Sequence, residues 1–195
     1  QIDAITDSAA IASYLRNAAA SGRNVLFGFG SEADFKDSAN NIAYAMQGGL
    51  GLPDTPYYTA ADKAGIRTAY VKYIARMLEL SGVPAADAAA QARDVMAFET
   101  RLAKASKSRE AFSRSIELYY TPVSLADADK LTPGFSWTEF FAAQGVAAPK
   151  YFSLSSPAFH VEVGKMIGEV PAAQWKSYLR YRTVSSAAPY LSDAF

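Results

Sequence analysis

The chain has 195 residues, 50% of them hydrophobic and 19% charged, which is enough apolar material to bury the core of one folded domain. Its 19 basic and 19 acidic residues give a net charge of zero, so neither nucleic acid nor an anionic membrane is expected as a partner. The absence of cysteine excludes disulfides, thiolate zinc sites and a cysteine nucleophile.

Hydrophobic spacing predicts a first helix over Ser8–Ala20, with Asp7 as its N-cap and Gly22 just beyond its end. A strand is predicted over 24–29. The next segment, 35–46, fits both a helical stripe and the alternation of a strand. We favour a hairpin because a cluster of turn-forming residues accompanies the alternating part: Asp34, Asp37, Ser38, Asn40 and Asn41.

The segment 48–58 reads Gly-Gly-Leu-Gly-Leu-Pro-Asp-Thr-Pro-Tyr-Tyr, and its glycines and prolines cannot continue a helix or a central strand. We predict a shaped loop rather than a flexible linker, because prolines fix backbone angles and apolar side chains can hold the loop on a core. The side chains expected to do so are Leu50, Leu52, Tyr57 and Tyr58.

Two long helices are predicted after this loop. Thr59 should cap the first, which ends before Gly82, and Pro84 should open the second, which reaches about Ser106. Their apolar stripes predict that the two helices pack antiparallel. The first stripe contains Ile66, Ala69, Tyr70, Tyr73, Ile74, Met77 and Leu78. The second contains Ala92, Val95, Met96, Leu102 and Ala103.

The remainder of the chain is predicted as short elements followed by two more helices. These are helical turns over 124–131 and 136–144, an extended segment over 151–154, and helices over 158–167 and 172–186 that begin at Pro157 and Pro171. The predicted fold class is mainly α, an antiparallel helical domain with a small β-hairpin near residues 24–47. We expect residues 1–195 to form a single domain.

His160 is the only histidine, and His160-Val161-Glu162 lacks the second histidine that a helical zinc-protease motif requires. We interpret His160 as a surface or core residue, although an unrelated small enzyme using it with Glu162 or Glu169 remains an alternative. Gly28-Phe29-Gly30-Ser31-Glu32-Ala33 has the spacing of a dinucleotide fingerprint, but too few strand and helix units accompany it. We interpret these glycines as hairpin geometry and predict no nucleotide.

Two carboxylate pairs, Asp127 with Asp129 and Glu162 with Glu169, stay unassigned because spacing alone does not separate acid–base chemistry from solvated surface. Glu99 stands out because it falls on the apolar stripe of its helix, where an unpaired charge is costly to bury. It is therefore a candidate for a buried ion pair. The candidate partners are Arg67, Arg76, Arg101 and Arg182.

The ends of the chain show no signal-peptide pattern, and no run of about 18 apolar residues predicts a membrane span. The last residues, Tyr190 to Phe195, stop on an apolar side chain, so we expect a piece excised from a longer polypeptide. Exposed apolar stripes on the first and last helices would indicate a missing neighbour.

Several blocks of residues carry a resemblance to a known family. They are Phe27-Gly28-Phe29-Gly30, Asp34, Lys36-Asp37-Ser38, Gln47-Gly48-Gly49-Leu50-Gly51-Leu52-Pro53-Asp54, Tyr57-Tyr58, Phe98-Glu99, Leu102-Ala103, Phe135-Ser136-Trp137 and Trp175 to Arg180. In this order they resemble the neprilysin-like zinc metallopeptidases, peptidase family M13, in the non-catalytic region before the metal-binding half. The departures from that family's pattern are Arg114-Ser115, Tyr120-Thr121 and Tyr181.

The resemblance implies a helical cap, or lid, that closes over a catalytic domain and restricts a chamber to oligopeptides. It implies that the zinc ligands and catalytic residues lie beyond Phe195, so this chain holds no catalytic residue, no metal and no cofactor of its own. The implied partners are the downstream catalytic domain and an oligopeptide, without membrane contact by this chain, and the implied location is extracytoplasmic. A stand-alone helical module that binds a peptide or other ligand is the alternative.

The resemblance also implies roles for particular residues. The structural motif of the family corresponds to Gly49, Leu50, Gly51, Leu52, Pro53, Tyr57 and Tyr58. Candidates for lining the substrate chamber are Tyr44, Tyr57 and Tyr58, although we favour a packing role for these tyrosines.

Overall fold

A computed structural model describes all residues from Gln1 to Phe195. Its α-helices are α1 Ser8–Ala20, α2 Pro56–Thr59, α3 Ala64–Leu80, α4 Ala85–Ala105, α5 Arg109–Arg114, α6 Leu125–Leu131, α7 Trp137–Ala143, α8 Pro157–Glu169 and α9 Ala172–Ala187. The strands are β1 Gly28–Ala33, β2 Asn41–Met46, β3 Pro122–Val123 and β4 Phe152–Leu154. Short 3₁₀ turns occupy Ile2–Ala4, Ala61–Lys63, Ile116–Leu118 and Ala188–Tyr190. The predicted fold class, mainly α with a small hairpin, is confirmed.

The four strands form one sheet in the order β1-β2-β4-β3. β1 and β2 make the predicted hairpin, with Gly28 opposite Met46 and Ala33 opposite Asn41. β4 adds to β2 in parallel, and β3 pairs antiparallel with β4. The sheet is therefore larger than the predicted hairpin, because two short segments from the second half of the chain extend it.

Helices α3, α4 and α9 pack against one another, and α8 and α1 close the same core. A single cluster of 33 buried residues runs from Ile5 to Tyr181 and includes residues from both the sheet and the helices. Its largest fully buried side chains include Trp137, Trp175 and Tyr178. Burial of large aromatic and aliphatic surfaces in one continuous cluster is the main favourable term for such a fold.

The first strand begins later than predicted, at Gly28 rather than at residue 24. The apolar residues Leu26 and Phe27 are buried in the core before the strand starts. The backbone N–H of Asp34 donates to Asn40 O at 2.9 Å and so closes the hairpin turn. Because the turn sets the register of the two strands, it also determines where β1 can begin.

The predicted cap of the first long helix is wrong. Thr59 is the last residue of α2, Ala60 is extended, and α3 begins only at Ala64. The break is stabilised by Arg67, whose Nη1 donates to the carbonyls of Tyr57 at 3.1 Å and Ala60 at 2.7 Å. Because Arg67 donates to these two carbonyls, they do not require the N–H groups of a continuous helix as partners.

Helix ends elsewhere follow the predicted signals. The Asp7 side chain accepts the backbone N–H of Ala10 at 2.8 Å and so caps α1. Gly82 has a φ of +94° just after α3, as expected for a glycine that ends a helix. None of the helices combines the length and the hydropathy that a bilayer crossing requires.

Candidate functional site

The glycine loop, residues 48–55, is pressed against α4 and α9. Gly49 has a φ of +77°, and a Cβ there would lie 2.5 Å from the hydroxyl of Tyr178. That hydroxyl donates to Gly49 O at 2.9 Å and lies 3.1 Å from Val25 O. At Gly51 a Cβ would overlap the hydroxyl of Tyr70. Both glycines are therefore required by close approach, and Gly49 also by its backbone angle.

The remaining motif residues divide between the loop and a short helix. Leu50 and Leu52 are partly buried against the core, whereas Pro53 is exposed. Tyr57 and Tyr58 lie on the helical turn α2 rather than in the irregular loop. The predicted loop therefore ends at Thr55, and its paired tyrosines are placed by a short helix.

Glu99 lies beneath this loop and is fully buried. Its Oε2 accepts the hydroxyl of Tyr58 at 2.6 Å, the hydroxyl of Tyr70 at 2.9 Å and the backbone N–H of Gly51 at 3.0 Å. The Tyr58 hydroxyl in turn accepts the N–H groups of Gly51 at 3.0 Å and Leu52 at 2.8 Å. Tyr181 donates to the Tyr70 hydroxyl at 3.1 Å. We call Glu99, Tyr58, Tyr70 and Tyr181 the Glu99 cluster.

The partners of Glu99 correct the expected ion pair. Its hydrogen bonds come from tyrosines and a backbone amide, and none of the four candidate arginines forms a salt bridge with it. Arg101 instead pairs with Glu162 and Glu169, both at 2.6 Å. Arg182 is the cation whose charge acts on Glu99, and its Nη1 lies 3.3 Å from Leu50 O. The sequence shows that burying Glu99 is costly, but it does not show which groups pair with it. Tyrosine hydroxyls are neutral, so charge does not mark them as partners.

Burial raises the pKa of Glu99, while the hydrogen bonds from Tyr58 and Gly51 oppose this rise. Burial, followed by the charge of Glu99, also raises the pKa values of Tyr58 and Tyr70, so both phenols stay protonated and can donate. Donors converging on one carboxylate satisfy it without exposing it to solvent. The arrangement can hold the loop, and it presents no group to a substrate.

The three tyrosines expected to line a chamber do not come together. Tyr58 is buried within the Glu99 cluster, so its side chain does not line a substrate chamber. Tyr57 is half-buried, with the Nζ of Lys63 5.7 Å from its ring centroid. Tyr44 lies on the sheet, where its hydroxyl donates to Ala33 O at 2.9 Å and its ring forms part of a cleft. The lining roles of Tyr44 and Tyr57 stay predictions.

His160 is 2% exposed and sits among the rings of Phe27, Trp137 and Phe159. Its Nε2 lies 3.2 Å from Ala45 O, so the imidazole links α8 to the sheet. Burial lowers the pKa of His160 to about 4. The imidazole is therefore neutral at pH 7 and packs as a core residue, in agreement with its interpretation from the sequence.

The depressed pKa of His160 predicts a loss of stability in acid. The unfolded chain binds a proton at this residue below about pH 6.5, whereas the folded chain resists protonation until about pH 4. Protonation of His160 in the unfolded chain should therefore lower the wild-type free energy of unfolding by about 2 kcal/mol between pH 7 and pH 5. Urea titrations of the wild type and His160→Gln at both pH values give their free energies of unfolding. The drop from pH 7 to pH 5 should be larger in the wild type, and the difference between the two drops is the contribution of His160. Equal dependences in the two proteins would contradict it.

The unassigned carboxylate pairs have structural partners. Asp127 accepts from Ser124 at 2.8 Å and Lys130 at 3.0 Å, within the first turns of α6. Asp129 accepts the N–H groups of Trp137 and Thr138 and so caps α7. Glu162 and Glu169 share Arg101. Each of these carboxylates therefore has a structural hydrogen-bond or ion-pair partner.

One buried acid was underestimated from the sequence. Asp34 is 1% exposed and accepts the hydroxyls of Tyr120 at 2.6 Å and Tyr151 at 2.5 Å. These hydrogen bonds, led by that of Tyr120, lower the pKa of Asp34. Its partners lie 86 and 117 residues away in the chain, so the local pattern shows only a turn residue. The cluster ties the hairpin tip to the second half of the domain.

The chain contains no group of three or more His, Asp or Glu side chains placed to hold a metal ion. Gly28 and Gly30 belong to β1 of an antiparallel hairpin, as the interpretation of their spacing requires. The glycines therefore have a structural explanation that involves no phosphate.

Comparison with known proteins identifies the class. The model of peptidase family M13, in its N-terminal region, matches residues 1–195. The chain therefore belongs to peptidase family M13, which confirms the resemblance seen in its sequence.

Individual relatives agree with this assignment. Neprilysin-3 of Drosophila melanogaster is 33% identical over 60% of the chain, and endothelin-converting enzyme 1 of Rattus norvegicus is 27% identical over 84% of it. The zinc metalloprotease Zmp1 of Mycobacterium tuberculosis in its open state superposes with a TM-score of 0.90 and 30% identity over 99% of the chain. The chain spans only 15% and 22% of the two relatives and 30% of the Zmp1 chain.

Proposed function

We propose that this chain is the non-catalytic cap of a zinc metalloendopeptidase that hydrolyses oligopeptides, and that it walls the substrate chamber and limits access by size. The observation that carries the proposal is the match of the whole chain to an N-terminal region of the family, together with its 30% share of a solved zinc metalloprotease. The cap contacts a catalytic domain supplied by the remainder of the polypeptide.

The Glu99 cluster supports a wall rather than a catalyst. A size filter needs a surface that keeps its shape, and buried hydrogen-bonded networks fix loops in one arrangement. Catalysis by zinc needs a bound water, a polarising cation and a base, and the proposal assigns this set to the remainder of the polypeptide. In this proposal zinc is held by ligands outside these 195 residues.

The family also bears on location and on the alternative function. Relatives named as neprilysin and endothelin-converting enzyme support an extracytoplasmic site of action. The proposal therefore places the intact enzyme outside the cytoplasm, with an oligopeptide as substrate. A stand-alone ligand-binding module is not favoured, because the chain matches part of much longer peptidases.

The test uses the full-length polypeptide that contains this chain. Its kcat/KM is measured on a compact folded protein that carries a cleavable sequence in a surface loop, and on the same loop excised as a free peptide. The proposal predicts that the free peptide is cleaved at least 100-fold faster, because the wall excludes the folded carrier. The unfolded carrier serves as the control for sequence context. Comparable cleavage of the folded carrier and the free peptide would reject the size filter.

A further inference from the structure

A cleft of about 450 Å³ opens on the face of the sheet that is turned away from the aromatic core. Gly30 lies opposite Tyr44 in the hairpin register, and cross-strand partners present their side chains to the same face. Phe29 belongs to the opposite face, where its ring packs on Phe140 and Phe141. The cleft therefore lies outside the core and is open to a ligand.

The walls of the cleft are aromatic and exposed. Phe35 is 50% exposed and Tyr119 is 36% exposed, whereas Tyr44 is 4% exposed and forms the floor. The Phe35 ring stacks on Tyr120 at 5.6 Å between centroids and lies 5.7 Å from the ring of Tyr44. These contacts hold the exposed ring of Phe35 in position beside the cleft. A pocket of this size and composition suits a large apolar side chain.

Gly30 provides the room on the strand side of the cleft. A Cβ placed on Gly30 would meet no atom within 4 Å. Glycine weakens a strand interior, and its backbone angles here do not require it. A side-chain-sized space over a strand glycine often marks the close approach of another chain.

The charge of the cleft is negative. Glu32 and Asp34 both line it, and Glu32 is exposed and forms no salt bridge. After burial, the charges of Asp34 and Glu32 are what raise the pKa of Tyr44, which places both carboxylates near its hydroxyl. Asp34 already accepts bonds from two tyrosines, so Glu32 is the carboxylate with free capacity. Lys36, which follows Phe35 in the chain, places its ammonium over the ring of Tyr120.

The backbone beside the cleft also suits a peptide. β1 is one of the two edge strands of the sheet, so one row of its N–H and C=O groups has no strand partner. An extended peptide can pair with such an edge while alternate side chains enter pockets on the sheet face. Gly30, Glu32 and Ala33 of this edge strand also line the aromatic cleft.

We infer that this cleft binds an extended oligopeptide, taking a large apolar or aromatic side chain above Gly30 and a neighbouring lysine or arginine at Glu32. The inference rests on the proposed function, because it assigns part of the peptide to the cap itself. The wall then has two roles, because it excludes large substrates and also carries a site that recognises the peptide.

The test measures binding to the full-length polypeptide by fluorescence anisotropy, with zinc chelated so that the probe is not cleaved. The probes are labelled unstructured decapeptides that contain one Phe-Lys, one Ala-Lys or one Phe-Gln pair. Gly30→Val fills the cleft with a residue that favours strands, and it should raise the Kd of the Phe-Lys peptide at least tenfold. Ser31→Val, on the other face of the same strand, should leave that Kd unchanged.

A second variant protects the test against misfolding. Glu32→Gln changes an exposed side chain, and it should weaken the Phe-Lys peptide three- to tenfold while leaving the Phe-Gln peptide unaffected. An unchanged Kd for Phe-Lys in both variants would overturn the inference. The inference would also be overturned if the wild type bound none of the peptides and Gly30→Val lowered the thermal stability of the full-length polypeptide. That result would mean that another part of the polypeptide occupies the cleft.

The two proposals fail separately. If the folded carrier is excluded but both Gly30→Val and Glu32→Gln bind the Phe-Lys peptide normally, the cleft is not a peptide site and the size filter stands. If the folded carrier is cleaved but peptide binding depends on Gly30, the cleft is a binding site and the size filter is rejected.

Discussion

Gly51→Ala should lower the free energy of unfolding by about 3 kcal/mol or more. The new methyl group would overlap the hydroxyl of Tyr70, which must then move away from Glu99. Overpacking typically costs about 1–3 kcal/mol, and a buried carboxylate that loses a donor adds about 1–3 kcal/mol. Urea denaturation of the purified protein, followed by far-UV circular dichroism, measures the change.

The matched control is Gly65→Ala in α3. A Cβ at Gly65 meets no atom within 4 Å, and alanine is the better helix former, so no loss of stability is expected. Tyr70→Phe supplies a second check, because it removes the hydroxyl that the methyl group meets. In that background Gly51→Ala should cost less than in the wild type. Strict additivity of the two substitutions would contradict the proposed contact.

Glu99→Ala should be the most destabilising change of a charged residue in this chain, at about 4 kcal/mol. It leaves a cavity and removes the acceptor of Tyr58, Tyr70 and the N–H of Gly51. Glu99→Gln keeps the shape but turns an amide donor toward groups that already donate. Its expected cost is about 2 kcal/mol.

The control for charge removal is Glu117→Gln, since Glu117 is exposed and forms no salt bridge. Its effect should stay within about 0.5 kcal/mol of zero. Unfolding by urea at pH 7 compares the three variants directly. If Glu99→Gln lost no more stability than Glu117→Gln, the carboxylate would not be holding the loop.

Local signals in the sequence were sufficient for much of the fold. The caps and prolines around α1, α8 and α9 predicted helices within a few residues of those observed, because capping and helical periodicity are properties of neighbouring residues. The turn residues around Asp37 likewise favoured a hairpin over a helix, and the hairpin is present.

Contacts between distant parts of the chain could not be predicted in the same way. The extended segment over 151–154 was predicted, but its pairing with β2, more than 100 residues away in the chain, was not, because so short a strand carries no pattern that selects a partner. Glu99 was recognised as costly, but its tyrosine donors come from α2 and α3. Such partners are chosen by the tertiary fold, so a sequence pattern reveals the need for a partner and not its identity.

The most direct measurement of the central claim compares the purified 195-residue chain with the full-length polypeptide. Equilibrium dialysis against Zn²⁺ and turnover of a fluorogenic peptide are recorded for both, after circular dichroism has shown that the short chain is helical. We expect about one zinc per molecule and turnover for the full-length polypeptide only. Stoichiometric zinc and peptide hydrolysis by the 195-residue chain would contradict its role as a non-catalytic wall.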